Sequence, residues 1–286
     1  MPRSIAIIAP GAMGSAVAGR LAEHGCKVLT SLQGRSVATQ ARAAASGMTA
    51  ASDDEIAHAD IILSIVPPGE AVALAEQLAT VIISNSKKPI IVDCNAVNVE
   101  TIRTIEDIVL SSGARLVDAA IIGVPPKPGS KGPTFHVSGE AAADVAVLGQ
   151  LGLDLHVIQG PIGAASALKM SYAGINKGLT GLGAAMVLAA TRAGAADALR
   201  DELAASAPNI HARLGTALPD MLPKAYRWVA EMREIAGFLG DDHPAAPVYE
   251  GFARLFEHIA ADVQGDGTEA AQLVAFAESC RTKTAR

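Results

Sequence analysis

Residues 4–15 read SIAIIAPGAMGS, an apolar run that breaks into a glycine-rich turn and then continues as a helix-like stretch. This order is typical of a parallel strand whose following helix offers free N–H groups and a positive dipole end to an anion. The usual dinucleotide pattern is G-x-G-x-x-G, whereas this chain carries Ala9 at the tight-turn position, followed by Gly11 and Gly14. An ordinary strand-to-helix turn is the alternative, but the place of the motif directly after the first apolar run favours a pyrophosphate site. The predicted contacts are Ala9, Gly11, Ala12, Met13 and Gly14.

The composition of the 286 residues indicates a soluble α/β protein. Hydrophobic residues make up 50% and aromatic residues only 3%, so the core must consist of small aliphatic side chains that suit buried parallel strands. The net charge of −6, with no basic stripe, argues against a nucleic-acid partner. The apolar stretch at residues 178–190 is too short for a membrane span, so it is predicted to be a buried helix.

The cysteines Cys26, Cys94 and Cys280 favour a reducing compartment, because their number is odd and their spacing fits no metal site. The N-terminus shows no apolar segment followed by a cleavage site, so no signal peptide is expected. Both observations predict a cytoplasmic protein. The GDDHP segment at residues 240–244, which contains Asp241, is interpreted as a solvated turn, and no metal site is predicted.

Up to about residue 160, apolar runs of strand length alternate with helical patterns, which predicts βαβ units and a mostly parallel sheet. The predicted strands cover residues 5–9, 27–31, 61–66, 90–93, 116–120, 134–137 and 155–158. The predicted helices between them include residues 14–23, 69–83 and 99–111. Right-handed crossovers then give a doubly wound fold, whose ligand crevice lies at the carboxyl ends of the strands.

Beyond Gly160 only helical periodicity remains, and prolines stand at or near the breaks. The predicted helical segments are 163–192, 195–207, 210–218, 224–239 and 248–263. The predicted fold class is therefore α/β, with an N-terminal Rossmann domain over residues 1–162 and an all-α domain over residues 163–286. The long helix that begins near Gly163 is expected to form the hinge.

Polar or small residues stand where the predicted strands end, namely Ser31, Ser64, Pro67, Asn95 and Gly123. For any single position, a plain turn residue is the alternative interpretation. Because ligands of doubly wound sheets bind at these ends, Val66, Pro67 and Asn95 are included among the predicted cofactor contacts.

The segment after the second strand, TSLQGRS at residues 30–36, has no acidic residue to accept hydrogen bonds from both ribose hydroxyls of NAD. Arg35 is suited to a charge-assisted pair with a 2′-phosphate, and Ser31 and Ser36 are suited to hydrogen bonds with it. Taken alone, Arg35 is equally a solvated loop arginine. With the acid missing, the segment predicts NADP (NADPH) as the cofactor in preference to NAD.

Lys169 lies in the segment GPIGAASALKMSYAGINKG, residues 160–178, among small and apolar residues. Helical spacing places it on one face with Tyr172, Ala173 and Asn176. A lysine on a buried face near a cofactor crevice loses its proton more easily and can act as a general acid or base. A helix lysine that extends into solvent is the alternative that spacing alone leaves open.

Five motifs occur in a familiar order: APGAMG, SIVPP at 64–68, VDCNAVN at 92–98, DAAIIGVPP at 118–126, and a G-x-x-G-x-x-x-x-x-K segment ending at Lys169. Through them the chain resembles the β-hydroxyacid dehydrogenase and 6-phosphogluconate dehydrogenase superfamily, which also contains the imine reductases. The segment KAYRWVAEMREIA at 224–236 further resembles the NAD(P)-binding branch that carries a C-terminal domain of unknown function.

The resemblance implies that Lys169 is the catalytic lysine, which exchanges a proton with the substrate oxygen while hydride passes to or from the nicotinamide. The family's asparagine, one helical turn later, falls at Ala173 and is absent. Asn176 is the candidate replacement, because it lies about 20° from the direction of the lysine on an ideal helix.

The family's serine–glycine–glycine substrate clamp aligns with Ile122, Gly123 and Val124, so the hydroxyl of the clamp is lost. Trp228, Tyr226 and Met232 are predicted to pack between helices, and a place in the substrate pocket is the alternative interpretation. The candidate substrate contacts are Ile122, Gly123, Tyr172 and Trp228.

The same resemblance implies a homodimer, because the helix after Lys169 lies within an interlocked dimer in that family. Here this helix contains Gly174, Gly178, Gly181 and Gly183, which weaken a helix by roughly 1 kcal/mol each. We therefore expect them to allow the close approach of another backbone.

Three functions remain open from the sequence. The leading hypothesis is an NADP-dependent oxidoreductase acting on a hydroxyl or carbonyl carbon of a small, hydroxyacid-type substrate. An NADPH-dependent imine reductase is the alternative, although those relatives usually carry aspartate or tyrosine in place of Lys169. A protonated lysine beside an iminium cation is also electrostatically unfavourable. A non-catalytic module that senses NADP(H) is the third, and we would expect such a protein to lose the lysine.

Overall fold

The computed structural model describes residues 4–126, 130, 132–240 and 242–282. Asp241 of the GDDHP turn lies outside the described residues. Two compact units divide the chain within a helix, the first ending at Met170 and the second beginning at Ser171. The sequence interpretation placed the division earlier, between residues 162 and 163.

The first unit is built on one eight-stranded sheet with the order β3-β2-β1-β4-β5-β6-β7-β8. Its strands are β1 (Ser4–Ile8), β2 (Lys27–Thr30), β3 (Met48–Ala50), β4 (Ile61–Ser64), β5 (Ile90–Asp93), β6 (Arg115–Ile122), β7 (Thr134–Ser138) and β8 (Asp154–Val157). All described strand pairs are parallel except β6 with β7. Since the order runs outward in both directions from the β1–β4 pair, the predicted doubly wound fold is confirmed.

The helices of the first unit cover both faces of this sheet. They are α1 (Ala12–Glu23), α2 (Val37–Ala45), α3 (Asp53–Ala57), α4 (Ala71–Ile82), α5 (Val99–Ser111) and α6 (Val147–Gln150). Successive residues of β1 point to opposite faces, so Ile7 belongs to the buried cluster that contains Leu21 of α1, and Ala6 to the cluster that contains Leu78 of α4. The central strands β1, β4 and β5 are therefore buried on both sides, which explains their aliphatic runs.

One 29-residue helix, α7 (Ala164–Arg192), begins in the first unit and continues into the second. The second unit adds α8 (Ala196–Ser206), α9 (Pro208–Met221), α10 (Ala225–Leu239), α11 (Ala246–Gln264) and α12 (Thr268–Thr282). The described residues of this unit are helical with short connections, as the fold class predicted. Within the described residues, no helix combines the length and the apolar character that a membrane span requires.

The glycines of α7 make room for side chains of the same unit, whereas the sequence suggested the close approach of another backbone. A Cβ added at Gly174 would lie 3.1 Å from the Tyr249 hydroxyl, and one at Gly181 would lie 2.7 Å from the Phe252 ring. Both aromatic residues belong to α11 of the same chain. The close approach is thus made by side chains within this unit, so the expected approach of another backbone does not account for these glycines.

Candidate active site

The glycine-rich turn joins β1 to α1 with the geometry of an anion site. The amide of Ser15 donates the first helical hydrogen bond of α1, to Gly11 O at 2.9 Å. The amides of Ala12, Met13 and Gly14 precede it and, as at any helix start, have no acceptor within their own helix. They therefore belong to the positive end of the helix dipole, where an anion is bound most favourably.

The two glycines of the turn have distinct roles. A Cβ added at Gly11 would meet no described atom within 4 Å, so its bare backbone faces open space that a ligand can approach. A Cβ added at Gly14 would lie 2.2 Å from Ala9 O, a distance that no real contact allows. Gly14 is therefore required for the packing of α1 on the turn, whereas Gly11 keeps the surface open.

Beside this turn lies a cavity of about 390 Å³ at the ends of β1, β2 and β4. Ser31, Gln33 and Arg35 line it from the segment after β2. Ser36 begins α2 instead, because its hydroxyl accepts the Thr39 amide at 3.3 Å and so caps the helix. The predicted 2′-phosphate residues thus divide into two that line the cavity and one that caps the neighbouring helix.

The cavity also contains residues that the sequence interpretation missed. Asp53 at the start of α3 and Glu70 before α4 place two carboxylates in its lining. They stand far along the chain from TSLQGRS, so no local pattern links them to it. Arg42 of α2 was missed as well; its guanidinium donates to Pro10 O at 3.1 Å and ties α2 to the glycine-rich turn.

Asn95 connects the ends of β4 and β5 and is buried with its amide fully engaged. Its Oδ1 accepts the Val66 amide at 2.7 Å, while its Nδ2 donates to Ser64 Oγ at 2.8 Å and to Asp93 Oδ2 at 2.6 Å. Burial raises the pKa of Asp93 to about 7, although the hydrogen bonds from Asn95 act in the opposite direction. Asn95 therefore positions the loop that contains Val66 and Pro67, with its own side chain turned into the protein.

Asp118, a residue of β6 that the sequence interpretation did not single out, anchors the start of α7. Its Oδ2 accepts the amides of Gly163 and Ser166, both at 2.9 Å, and its Oδ1 accepts the Ser166 hydroxyl at 2.7 Å. Ser138 of β7 donates to the same carboxylate at 3.2 Å and accepts the Ala165 amide at 3.0 Å. Its place within the apolar run LVDAAII was the available signal, because aspartate is seldom buried without partners.

Lys169 lies in the second turn of α7, half-buried, and its ammonium donates to the carbonyl of Ile121 near the carboxyl end of β6. Burial lowers the pKa of Lys169, and an electrostatic interaction with Cys94 opposes this change. The lysine is therefore held at the edge of the sheet where ligands of doubly wound folds bind. A lowered pKa makes the ammonium a stronger proton donor than that of a lysine in water.

The residues that align with the substrate clamp follow Ile121 directly. Ile122 ends β6, and Gly123 has a φ of 129°, a conformation that favours glycine. A Cβ at Gly123 would lie 3.0 Å from the Pro133 Cα. The backbone therefore turns sharply beside the carbonyl that binds Lys169.

Three further candidates, Tyr172, Asn176 and Trp228, lie in the second unit. Asn176 donates to the Tyr172 carbonyl at 2.9 Å and accepts a hydrogen bond from Arg213 at 3.0 Å, while the Tyr172 side chain is half exposed. Trp228 packs edge-on against Phe256 with ring centroids 5.1 Å apart. Both Asn176 and Trp228 thus have partners within their own unit, and for Trp228 these are the helix packing contacts that the sequence favoured.

Residues 4–149 match the family described as the NAD binding domain of 6-phosphogluconate dehydrogenase. The chain belongs to this family. Residues 190–259 match a domain of unknown function (DUF1932). The resemblance to 6-phosphogluconate dehydrogenase and its NAD(P)-dependent relatives, read from the five motifs, is thereby confirmed.

Solved structures share the fold along almost the whole chain. A conserved protein of unknown function, reported as similar to 3-hydroxyacid dehydrogenases, is 27% identical with a TM-score of 0.74, covering 94% of this chain and 99% of its own. Mycobacterium tuberculosis 3-hydroxyisobutyrate dehydrogenase with L-serine is 20% identical, with a TM-score of 0.70 and coverage of 98% and 100%. A variant imine reductase from Myxococcus stipitatus with NAD+ is 18% identical, with a TM-score of 0.58 and coverage of 96% and 99%. No curated protein matches the chain in sequence.

Proposed function

We propose that the protein is an NADP-dependent oxidoreductase that transfers hydride between the nicotinamide and a hydroxyl or carbonyl carbon of a small substrate. The observation that carries this proposal is the position of Lys169. It lies on the helix that Asp118 anchors, it binds the Ile121 carbonyl, and it belongs to the same compact unit as the glycine-rich turn. A lysine so placed is a proton donor at the edge of the sheet where the cofactor binds.

The residues present fit a dinucleotide. Gly11 leaves open space at the positive end of α1, which suits the pyrophosphate, and the neighbouring cavity of about 390 Å³ suits the adenosine. Arg35 lines that cavity and is the group with which a 2′-phosphate would pair, which supports NADP over NAD. Val66 and Pro67, positioned through Asn95, would contact the cofactor from β4.

The nicotinamide, when bound, supplies or accepts the hydride. Lys169 gives a proton to the substrate oxygen in the direction of reduction and takes it back in the direction of oxidation. Burial lowers its pKa because it disfavours the charged ammonium, and this makes release of the proton easier. The Ile121 carbonyl orients the ammonium, and the segment 122–124 would contact the substrate.

The lack of a hydroxyl in the segment 122–124 supports an imine reductase as a second candidate. Ile122 and Val124 offer only apolar side chains where the resembled clamp has a hydroxyl, so they suit a less polar substrate. Reduction of a carbonyl needs the proton of Lys169, whereas reduction of an iminium cation does not. The two functions therefore differ in their dependence on this lysine.

The test is to measure NADPH oxidation against panels of aldehydes, ketoacids and cyclic imines. Turnover of aldehydes or ketoacids that depends on Lys169 supports the proposal. Turnover of cyclic imines alone would establish the second candidate. Tight NADPH binding with no turnover across the panels would point to a sensing module.

We also propose that two copies associate through α7. Tyr172, Ile175, Leu179, Leu182 and Met186 follow the 3–4 spacing of one helical face and are 43–63% exposed. This apolar stripe is distinct from the glycines, which pack against α9 and α11. Burying it against a second copy would remove a continuous apolar surface from water.

The cysteines support a cytoplasmic location. Cys26, Cys94 and Cys280 are all buried and form no disulfide in the part of the chain that the structure describes, as expected for a protein that works in a reducing compartment.

A further inference from the structure

The cavity at the ends of β1, β2 and β4 is lined by groups of opposite charge. The segment after β2 contributes the guanidinium of Arg35 together with Ser31 and Gln33. Helices α3 and α4 contribute the carboxylate of Asp53 and the amide of Gln77. A ligand that fills this cavity therefore meets a cation from one chain segment and a hydrogen-bond acceptor from another.

Asp53 is held in place but has acceptor capacity to spare. The Gln77 amide donates to Asp53 Oδ2 at 3.1 Å. A carboxylate offers about four lone-pair sites, so this bond occupies only one of them. Val66, Leu74 and Leu78 add apolar surface to the same cavity, which suits the faces of a flat ring.

The adenosine end of NADP has two features that match these groups. Its 2′-phosphate is an anion, which Arg35 attracts and Asp53 repels. Its adenine ring carries a 6-amino group, a hydrogen-bond donor. A hypoxanthine ring has the same shape but presents an oxygen acceptor at this position, which a carboxylate would repel.

We propose that Asp53, oriented by Gln77, accepts a hydrogen bond from the 6-amino group of adenine and so selects the base of the cofactor. This inference rests on the proposed function, because it assumes that the cavity binds the adenosine of a dinucleotide. It adds a base-reading residue on α3 to the phosphate-binding residues after β2.

The test compares binding of NADPH with binding of its hypoxanthine analogue by fluorescence titration. The unmutated protein should bind NADPH about tenfold more tightly, as one hydrogen bond to a charged group predicts. Asp53→Ala should bind both dinucleotides equally, through a loss of about tenfold for NADPH. Asp54→Ala is the matched control, since it removes the same charge from the next position of α3 while Asp54 does not line the cavity.

The possible results distinguish failure of the Asp53 role from failure of the proposed NADP-dependent function. If NADPH binds but the unmutated protein does not discriminate between the two bases, the inference is wrong and the proposed function stands. Equal weakening of both dinucleotides by Asp53→Ala would also overturn it, because the carboxylate would then contact the ribose. Loss of discrimination in Glu70→Ala, with discrimination kept in Asp53→Ala, would assign the role to Glu70 instead. If neither NADPH nor NADH binds, the proposed function fails and the inference fails with it.

Discussion

Asp118 accepts two hydrogen bonds from Ser166, one from its amide at 2.9 Å and one from its hydroxyl at 2.7 Å. The carboxylate also lies at the positive end of the 29-residue helix α7, where a negative charge is favourable. Ile121 stands three residues beyond Asp118, and Lys169 stands three residues beyond Ser166. The Lys169 ammonium donates a hydrogen bond to the Ile121 carbonyl. Strand β6 thus fixes both the start of α7 and the side chain of Lys169, which we expect to exchange a proton with the substrate.

Replacing Asp118 should loosen this connection. We expect Asp118→Asn to lower the free energy of unfolding by about 1–3 kcal/mol. The NH₂ group of the asparagine is a donor, and it would face the amide and hydroxyl donors that the carboxylate now accepts from. Urea unfolding measures this change. Ser166→Ala should cost only about 0.5–1.5 kcal/mol, since the bond from the Ser166 amide remains. An Asp118→Asn protein as stable as the unmutated one would show that the carboxylate does not anchor the helix.

The cofactor preference should depend on Arg35. We expect the unmutated protein to bind NADPH at least about tenfold more tightly than NADH, as a charge-assisted pair supports, and Arg35→Ala to narrow that difference. Titration of the cofactor fluorescence gives both constants. Arg103→Ala, at an exposed arginine of α5, is the control and should keep the preference. Equal affinities in the unmutated protein would rule out the NADP preference.

Turnover should depend on Lys169. We expect Lys169→Ala to lower kcat by about 10²–10⁴-fold, the usual contribution of a positioned proton donor, with little change in NADPH affinity. Steady-state kinetics and cofactor titration separate these effects. Lys177→Ala is the comparison and should lower kcat much less. Lys177 pairs with Glu231, and its ammonium lies 5.4 Å from the centre of the Trp228 ring. Near-full turnover in Lys169→Ala, or loss of cofactor binding before turnover, would contradict the assignment.

The stability of the fold should depend on pH through Asp93. Burial raises the pKa of this carboxyl from 3.8 to about 7, so between these values the folded protein keeps a proton that the unfolded chain has lost. The contribution of Asp93 to the free energy of unfolding is therefore full below about pH 4 and falls as pH rises towards about 7.

We expect Asp93→Asn to flatten this decline, measured by urea unfolding across the same range. Burial raises the pKa of Asp118 too, so part of the slope should remain in the variant. An unchanged slope would show that Asp93 titrates as it does in the unfolded chain.

Association should depend on the apolar stripe of α7. We expect the unmutated protein to be a dimer at micromolar concentration by light scattering, and Leu182→Glu to make it a monomer, because a buried unpaired charge is costly. Val263→Glu is the control, since Val263 is an exposed apolar residue of α11 outside the stripe. A monomeric unmutated protein, or a dimeric Leu182→Glu variant, would refute the proposed interface.

The sequence predicted the parts of the fold whose signals are local. The apolar run and Gly14 gave β1 and the turn to α1, and helical periodicity gave α7. The three-residue strand β3 was not predicted, because it is too short for a periodic pattern. The helix α12 was missed too, although its buried residues Leu273, Phe276, Ala277 and Cys280 have the spacing of one helical face.

The parts of the site that escaped prediction depend on residues far apart in the chain. Asp118 and Ser166 are 48 positions apart, and no spacing rule connects a strand residue to the start of a later helix. Asn95 was recognised at the end of a strand, but only the structure shows its amide bonded to Val66, Ser64 and Asp93. A strand-end position can be read from one sequence, whereas the direction of its side chain requires the neighbouring strands.

The anchoring of α7 by residues of the sheet has a consequence for the order of assembly. The groups that satisfy its first amides, Asp118 and Ser138, lie 45 and 27 positions before their partners Gly163 and Ala165. The chain must close these long loops before the helix start is secured, and loop closure costs entropy that local helix formation does not. The first turn of α7 should therefore gain protection from hydrogen exchange only after β6 and β7 have paired, so that Lys169 reaches a sheet that has already formed.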